Sequence, residues 1–296
     1  ISATGKDKAD SRATAGSGGV IAGNAAVSRN SHTTSVLAEI ADSTVKKALA
    51  AARLTLRADY TADSSASSDS TQASVFGGSG ADSYRVIDTR ADVRLGENTH
   101  IETLGATIAA YQTIRVADGG VMAAAGGILN GAAGVSLTDI TPEVKVTFGN
   151  YATLDVLGIP GLSAGQLSVQ AANMVNARDE ARLDVGGGIP IAEARTVVNS
   201  TTRNSVAIGN GASLTSAGQI DIGAYSINAV NTEARISTYG AVGSAGGDSQ
   251  ALVTAYHDVS IAGNAVVRGG DRVNIGSGTS GNGIDAMLNA RAINDT

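Results

Sequence analysis

A short segment recurs in this chain at a nearly constant spacing, and this spacing constrains the fold more than any single residue. Each copy runs from an apolar residue through Gly and Asn to a second apolar residue. The copies are Leu95–Ile101, Phe148–Leu154, Ile208–Leu214 and Ile261–Val267. A second apolar strip begins at Leu54, Ile114, Leu167, Ile220 and Val273. In both sets the residue numbers of consecutive starts differ by 53 or by 60. Because both strips recur at the same spacings, the sequence predicts a structural unit that is repeated and stacked, as in a solenoid.

The apolar residues inside each strip alternate with polar or small ones, as in Ile220-Asp221-Ile222. Such alternation is typical of β-strands. Within one block, strips start at Ile208, Ile220, Ile236 and Ile261, so that consecutive starts differ by 12, 16 and 25 in residue number. These gaps are too short for a strand-helix-strand unit. We therefore expect an all-β fold, a parallel β-helix with about three coils in each block of 53–60 residues.

Composition supports a stacked fold and excludes several classes of protein. The chain has 38 Gly, 3% aromatic residues and 16% charged residues, which suits tight bends and a narrow core of small side chains. It has no Cys and therefore no disulfides. The net charge of −6, without a basic stripe, argues against nucleic acid as a partner. The uncharged stretch of residues 119–138 is too weakly apolar for a membrane span.

We expect one uneven block followed by regular repeats. Residues 1–72 are interpreted as a first block, with an inserted loop or short helix near residues 41–53. Residues 73–296 are interpreted as continuous repeats. Because the chain begins without Met and the repeat is still running near Thr296, we expect a fragment of a longer protein.

One charge pattern recurs with the blocks. Glu180 is matched by Glu233, and Arg182 by Arg235, at the same spacing as the blocks themselves. On a strand, residues two apart share a face. We therefore predict a solvent-facing ladder of carboxylates and guanidinium groups rather than a substrate-binding arginine.

A calcium site is the only cofactor site that the sequence suggests. Gly77, Gly78, Gly80 and Asp82 match the spacing of the calcium-binding nonapeptide of β-rolls. Such sites need neighbouring copies, and this segment occurs once. The alternative is a turn shared with the segment around Asp248, which also precedes a serine.

Candidates for catalysis are few, and we expect no enzyme. Paired carboxylates are what a polysaccharide hydrolase would need. The nearest pairs are Asp179 with Glu180, and Asp139 with Glu143. The three histidines lack the neighbours that a metal site requires, so we expect them on the surface or in loops.

The segments 206–222 and 259–275 resemble the repeats of large secreted bacterial adhesins of the filamentous-haemagglutinin-like and leukotoxin-like family. The resemblance covers residues 73–296 and rests on the repeat pattern and its small-residue turns. It implies a right-handed parallel β-helix at the bacterial cell surface or outside the cell. It also implies a stalk or fibre that mediates adhesion, aggregation or a biofilm matrix, often exported by two-partner secretion.

The expected partners are neighbouring copies or adjoining repeats in a fibre, and glycans or matrix polysaccharide are a further possibility. Strand faces rich in Thr, Ser and Asn can present hydrogen-bonding groups to a polymer. A polysaccharide-binding or polysaccharide-cleaving β-helix is therefore the alternative function. Activity on polymers would separate that alternative from a structural role.

Overall fold

The computed structural model describes residues 1–44, 47–159, 161, 164–278 and 286–295. These residues form strands joined by turns, which confirms the all-β class. No helix that could cross a bilayer is found among them. The strands are β1 (Ser2–Ile40), β2 (Lys47–Ala51), β3 (Leu54–Leu95), β4 (Thr99–Thr103), β5 (Ala106–Phe148), β6 (Thr153–Val156), β7 (Gln166–Ile208), β8 (Ser213–Ser216), β9 (Gln219–Gly240), β10 (Ser244–Ile261), β11 (Val266–Gly269), β12 (Arg272–Ser277) and β13 (Ala286–Asp295).

Every recorded strand pair is parallel, and the pairs form two sheets. The long strands form one sheet in the order β1-β3-β5-β7-β9-β12, to which β10 and β13 are added beside β7 and β9. The short strands form the second sheet, in the order β11-β8-β6-β4-β2. Gln166 pairs with Gln219, and Ile208 pairs with Ile261, so the residue number rises by 53 across each of these pairs. The repeat seen in the sequence is therefore the step from one level of the stack to the next.

One block makes one coil, so the prediction of about three coils in each block is wrong. The apolar strips within a block lie on two arms that fold back on each other. The two arms belong to one long strand in β1, β3, β5 and β7, and to the two strands β9 and β10 at the fifth level. The arms meet through side chains: the hydroxyls of Ser11 and Ser28 are 2.6 Å apart, and Ser249 donates to Thr232 at 2.8 Å. An arm of 20 residues is about 65 Å long at 3.3 Å per residue. Each coil is consequently wide and flat.

The fold-back occurs at a column of small residues that are paired level by level. Gly127 pairs with Gly187, which pairs with Gly240. The φ angles of Gly127 and Gly187 are 154° and 152°, in the region that favours glycine. A Cβ atom on Gly187 would lie 2.1 Å from the carbonyl oxygen of Gly127. Glycine is therefore required at this bend by both backbone angle and space.

The recurring segment marks the opposite corner of each coil, where a long strand ends and a short strand begins. Its fourth residue has a positive φ in every copy: 55° at Asn98, 57° at Tyr151, 64° at Gly211 and 57° at Asn264. The amide of Tyr151 donates to the Asn210 carbonyl of the next level at 3.0 Å. The segment thus recurs because each level repeats one turn.

The second strip is only partly in register. Leu167, Ile220 and Val273 are paired as predicted, but Leu54 pairs with Ala106, whereas Ile114 pairs with Ala62 and Val175. The predicted matches of Ile114 with Leu54 and with Leu167 are therefore both wrong. Both segments alternate apolar and polar residues, so the pattern alone does not distinguish positions shifted by an even number of residues.

The predicted boundaries of the first block differ from the structure. Strand β3 continues through residues 72 and 73 without a break. In the segment 41–53, residues 47–51 form strand β2, which pairs with β4, and residues 45–46 lie outside the described part. The short helix is wrong for residues 47–51, because the ladder to β4 outweighs the helix propensity of alanine. This strand is not an insertion, since each later level has an equivalent.

Inward-facing side chains form rows that continue from level to level. Leu56, Ile108, Val169 and Ile222 are paired in succession, and at most 3% of each is exposed. Burying an aliphatic side chain of this size stabilises the fold by about 1.5–3 kcal/mol. A second, smaller apolar cluster lies nearer the bends and contains Val121, Leu183 and Ile236. Polar side chains fill the interior between the two clusters.

Candidate functional site

A buried ion pair lies in the polar part of the interior. Nη1 of Arg85 is 3.1 Å from Oδ1 of Asp179, and both side chains are 0% exposed. The same nitrogen donates to Oγ1 of Thr138 at 2.9 Å. The hydroxyls of Ser136 and Thr138 donate to the two carboxylate oxygens at 2.6 and 3.0 Å. Both charged groups are thus extensively hydrogen-bonded.

The other side of the guanidinium group contacts the backbone. Nη2 of Arg85 donates to the carbonyl oxygen of Ala66 at 2.5 Å and also to that of Gly119. A Cβ atom on Gly119 would lie 1.9 Å from this nitrogen, so glycine makes room for it. Arg85 lies on β3, Gly119 on β5 and Asp179 on β7. The ion pair and its hydrogen bonds therefore join three successive levels.

Burial governs the chemistry of this cluster. Removal from water raises the pKa of Asp179, and the adjacent Arg85 and the two hydroxyl donors offset part of that rise. A carboxylate that is closed off from solvent cannot exchange a proton with a substrate at the surface. The cluster is suited to holding levels in register rather than to catalysis.

The first predicted acidic pair does not converge. Asp179 points into the interior, whereas Glu180, the next residue on the strand, points to the opposite face. The Glu180 carboxylate instead accepts two hydrogen bonds from Arg182, at 3.1 Å from Nε and 2.5 Å from Nη2. The two carboxylates therefore cannot act on one substrate.

The second acidic pair is spread along β5. Asp139 accepts a hydrogen bond from Asn199 at 2.9 Å, and Glu143 lies 3.8 Å from Arg90. Four residues of extended strand place the two Cα atoms about 13 Å apart. That spacing is wider than the roughly 5–9.5 Å between the carboxyl groups of glycosidases. Each carboxylate has its own partner on a neighbouring level.

The predicted charge ladder lies on the outer face. Glu180 pairs in register with Glu233, and Arg182 pairs with Arg235, as expected from the repeat. The side chain of Arg182 is 52% exposed. Exposed pairs of this kind contribute about 0–1 kcal/mol each, so the ladder has a modest effect on stability.

The segment with calcium-motif spacing lies within β3. Gly77, Gly78, Gly80 and Asp82 are paired with β1 on one side and β5 on the other, so the segment is strand and not a turn. A Cβ atom on Gly77 would lie 1.9 Å from the Ala22 carbonyl oxygen, which explains that glycine by packing. In the described ranges, no three His, Cys, Asp or Glu residues are grouped closely enough to hold a metal ion.

Asp82 and Asp248 occupy equivalent positions, as the sequence alignment of their segments predicted. Asp82 pairs with Val135, Val135 with Arg195, and Arg195 with Asp248. Nε of Arg195 lies 3.3 Å from the Asp248 carboxylate. This relation supports the alternative of a shared structural position, although on a strand.

An open cleft of about 430 Å³ lies at the corner between short and long strands. Arg53, Leu104, Ile159 and Gln166 contribute to its walls. The connection between β6 and β7, residues 157–165, is longer here than the two-residue connection between β8 and β9. This longer connection accounts for the step of 60 in residue number between β5 and β7, as from Asp139 to Asn199. Among the described lining residues, Arg53 is the one charged side chain.

Two buried polar residues were missed by sequence reasoning. Arg85 lies between Ser83 and Ile87, two residues from each, and therefore on the inward face of the strand. The alternation of inward and outward positions along the strand could therefore have identified Arg85 as a buried residue. His32, expected on the surface or in a loop, is 5% exposed and lies in β1. The surface expectation is wrong for this histidine because its position on the strand faces inward.

Comparison with protein-family models, curated proteins and solved structures finds no match to the chain.

Proposed function

We propose that this chain is a section of a secreted bacterial surface adhesin, in which a right-handed parallel β-helix forms a structural or adhesive stalk or fibre. Its role is not enzymatic. It acts outside the cell or at the cell surface, in adhesion, aggregation or the biofilm matrix. Neighbouring copies or adjoining repeats are its partners in the fibre, and matrix glycans are candidate ligands.

The observation that carries this proposal is the constant pairing between levels. Each long strand presents its inner row to the same row one level away, as in the succession Leu56, Ile108, Val169 and Ile222. Such a unit gains stability by addition of further levels, and it has no built-in limit to its length. Extended, uniform stacks suit a mechanical connection better than a reaction centre.

The outer surface supports the same role. Charged side chains on this surface form ion pairs along and between strands, such as Arg94 with Asp42 at 2.7 Å and Arg90 with Asp92 at 2.6 Å. The acidic residues considered for glycan cleavage are buried or separately paired, as described above.

The test combines imaging with an adhesion assay on the purified chain. Negative-stain electron microscopy and fibre diffraction should give fibres with a reflection near about 4.8 Å along the fibre axis, since strands stack in that direction. Latex beads coated with the chain should aggregate, or adhere to a polysaccharide film, whereas beads coated with urea-unfolded chain should not. Release of reducing ends from that film would instead favour the cleaving alternative and contradict the proposal.

A further inference from the structure

The bends between the two arms share a property at all five levels: the chain around them carries no charge. Charged residues begin only at some distance on either side, such as Asp184 and Glu193 at the fourth level. The uncharged segments are residues 13–28, 70–81, 119–138, 185–192 and 236–247. Uncharged segments also occur elsewhere, at residues 156–177 and 204–220, but the five at the bends lie side by side in the stack. A charge-free edge is therefore built up from five separate parts of the sequence.

Large apolar side chains are exposed along this edge. Ile21, Phe76, Leu129 and Ile189 are paired in succession, and they are 81%, 45%, 41% and 46% exposed. We call the full set the bend edge. It consists of Val20, Ile21, Phe76, Ile128, Leu129, Ile189, Ile191, Tyr239 and Val242. The pairing makes these side chains a continuous ridge rather than scattered surface residues.

The area of the bend edge is large for a free surface. Nine large side chains that are about half exposed present on the order of 900 Å² together, whereas the largest apolar patch of a typical monomer is roughly 300–600 Å². Patches of that size mark sites of interaction with another protein or with a membrane.

We propose that the bend edge inserts into the surface of a neutral phospholipid bilayer. Helices that lie in a membrane interface bury their apolar face about 5–10 Å deep. At the fourth level, where the uncharged segment is shortest, Asp184 lies four residues from the bend at residue 188, which is about 13 Å of strand. The edge can therefore enter to that depth without desolvating a charge.

The backbone at the bend is also suited to an apolar environment. Gly187 is paired with Gly127 and Gly240, and the amide of Val242 donates to the Gly188 carbonyl at 3.3 Å. Backbone groups that are bonded between levels need no water, so insertion leaves fewer of them unsatisfied.

Shape favours lipid over a second copy of the chain. The bend edge is the convex end of a two-armed coil, because each strand turns back on itself there. Two convex ridges meet along a narrow line and leave much of their apolar surface in water. A ridge that enters a bilayer to a depth of about 5–10 Å is instead surrounded by lipid on both sides. Neutral lipid is the class to test, since the edge offers no cation for an anionic headgroup.

A single introduced tryptophan reports insertion, since the chain contains none. Phe76→Trp places the probe on the bend edge. Val86→Trp is the matched control, because Val86 lies on the same strand and is 46% exposed, against 45% for Phe76. With phosphatidylcholine vesicles, the emission of the Phe76→Trp variant should shift to the blue and be quenched by brominated lipid. That of the control should remain unchanged.

Loss of apolar area should weaken the association. The double variant Phe76→Ser, Leu129→Ser should bind vesicles about tenfold more weakly in co-sedimentation, because two half-exposed side chains no longer leave water. Val86→Ser should bind like the parent chain. Thermal unfolding of each variant checks that the fold is retained.

Three results would overturn the proposal. The first is no vesicle binding by the parent chain, and the second is binding that requires anionic lipid or is lost in high salt. The third is concentration-dependent dimerisation, removed by the double variant, which would assign the bend edge to contact between copies. These results are separate from fibre formation and bead adhesion, which are measured without lipid.

Discussion

Replacing Arg85 by methionine tests the role of the buried ion pair. The substitution keeps an unbranched side chain of similar length but removes the cation, so Asp179 loses the partner 3.1 Å away. Removing one member of a buried pair costs about 3–5 kcal/mol. We therefore expect the free energy of unfolding at neutral pH to fall by about that amount, measured by urea denaturation followed by circular dichroism.

The loss should depend on pH in a defined direction. Burial already raises the pKa of Asp179, and removal of Arg85 raises it further. A group whose pKa is higher in the folded state contributes stability below its unfolded value, near 3.9 for Asp, and that contribution is lost as pH rises through the folded pKa. The deficit of the variant should therefore be smallest near pH 4 and grow towards neutral pH.

Two controls separate the ion pair from simple loss of packing. Arg182→Met removes an exposed partner of Glu180 and should cost no more than about 1 kcal/mol. The double variant Arg85→Met, Asp179→Leu leaves no unpaired charge and should recover most of the stability. If Arg85→Met changes the unfolding free energy by less than about 1 kcal/mol, or equally at pH 4 and 7, the account of this cluster is wrong.

Three further substitutions or additions test other parts of the description. Gly187→Ala should lower the unfolding free energy by about 2–3 kcal/mol, because its Cβ meets the Gly127 carbonyl at a positive φ, whereas Gly126→Ala, with open space around it, should change it little. Tyr151→Asn should raise the melting temperature, because asparagine tolerates the positive φ at this exposed position better than an aromatic residue does. The expected gain in unfolding free energy is about 0.5–1 kcal/mol, and a lower melting temperature would contradict this. Millimolar calcium should leave the melting temperature unchanged, since Asp82 lies on a paired strand; a rise that disappears in Asp82→Asn would instead support the calcium motif.

The repeat and the strand character could be predicted because they depend on local chemistry. The turn recurs with each level, and its fourth position favours residues that tolerate a positive φ, as at Asn98, Gly211 and Asn264, with Tyr151 as the exception. The number of coils could not be predicted in the same way. Alternating residues look alike whether a strand turns a corner to a new sheet or folds back on its own second arm. The column of Gly127 and Gly187 shows that the strand folds back on its own second arm. This column can be recognised only once the pairing between levels is known.

The candidate sites were also predicted only in part. Equivalence of Asp82 and Asp248 followed from sequence spacing, because both keep the register of their levels. The contact of Arg85 with Asp179 did not, because it joins residues two levels apart whose separation depends on the stacking itself. The bend edge was also missed, since its residues are consecutive in space but come from five distant segments.

The long step between paired strands, 53 in residue number from Thr196 to Ser249, has a consequence for folding kinetics. A coil can add to the stack only after the whole step has emerged into the compartment where the chain folds. Loop closure over such a step costs about 1 kcal/mol more than closure over a third of its length. The first pair of coils is therefore the slow event. Each later coil meets an ordered edge as its template, so the chain is expected to fold in one direction, in order of emergence.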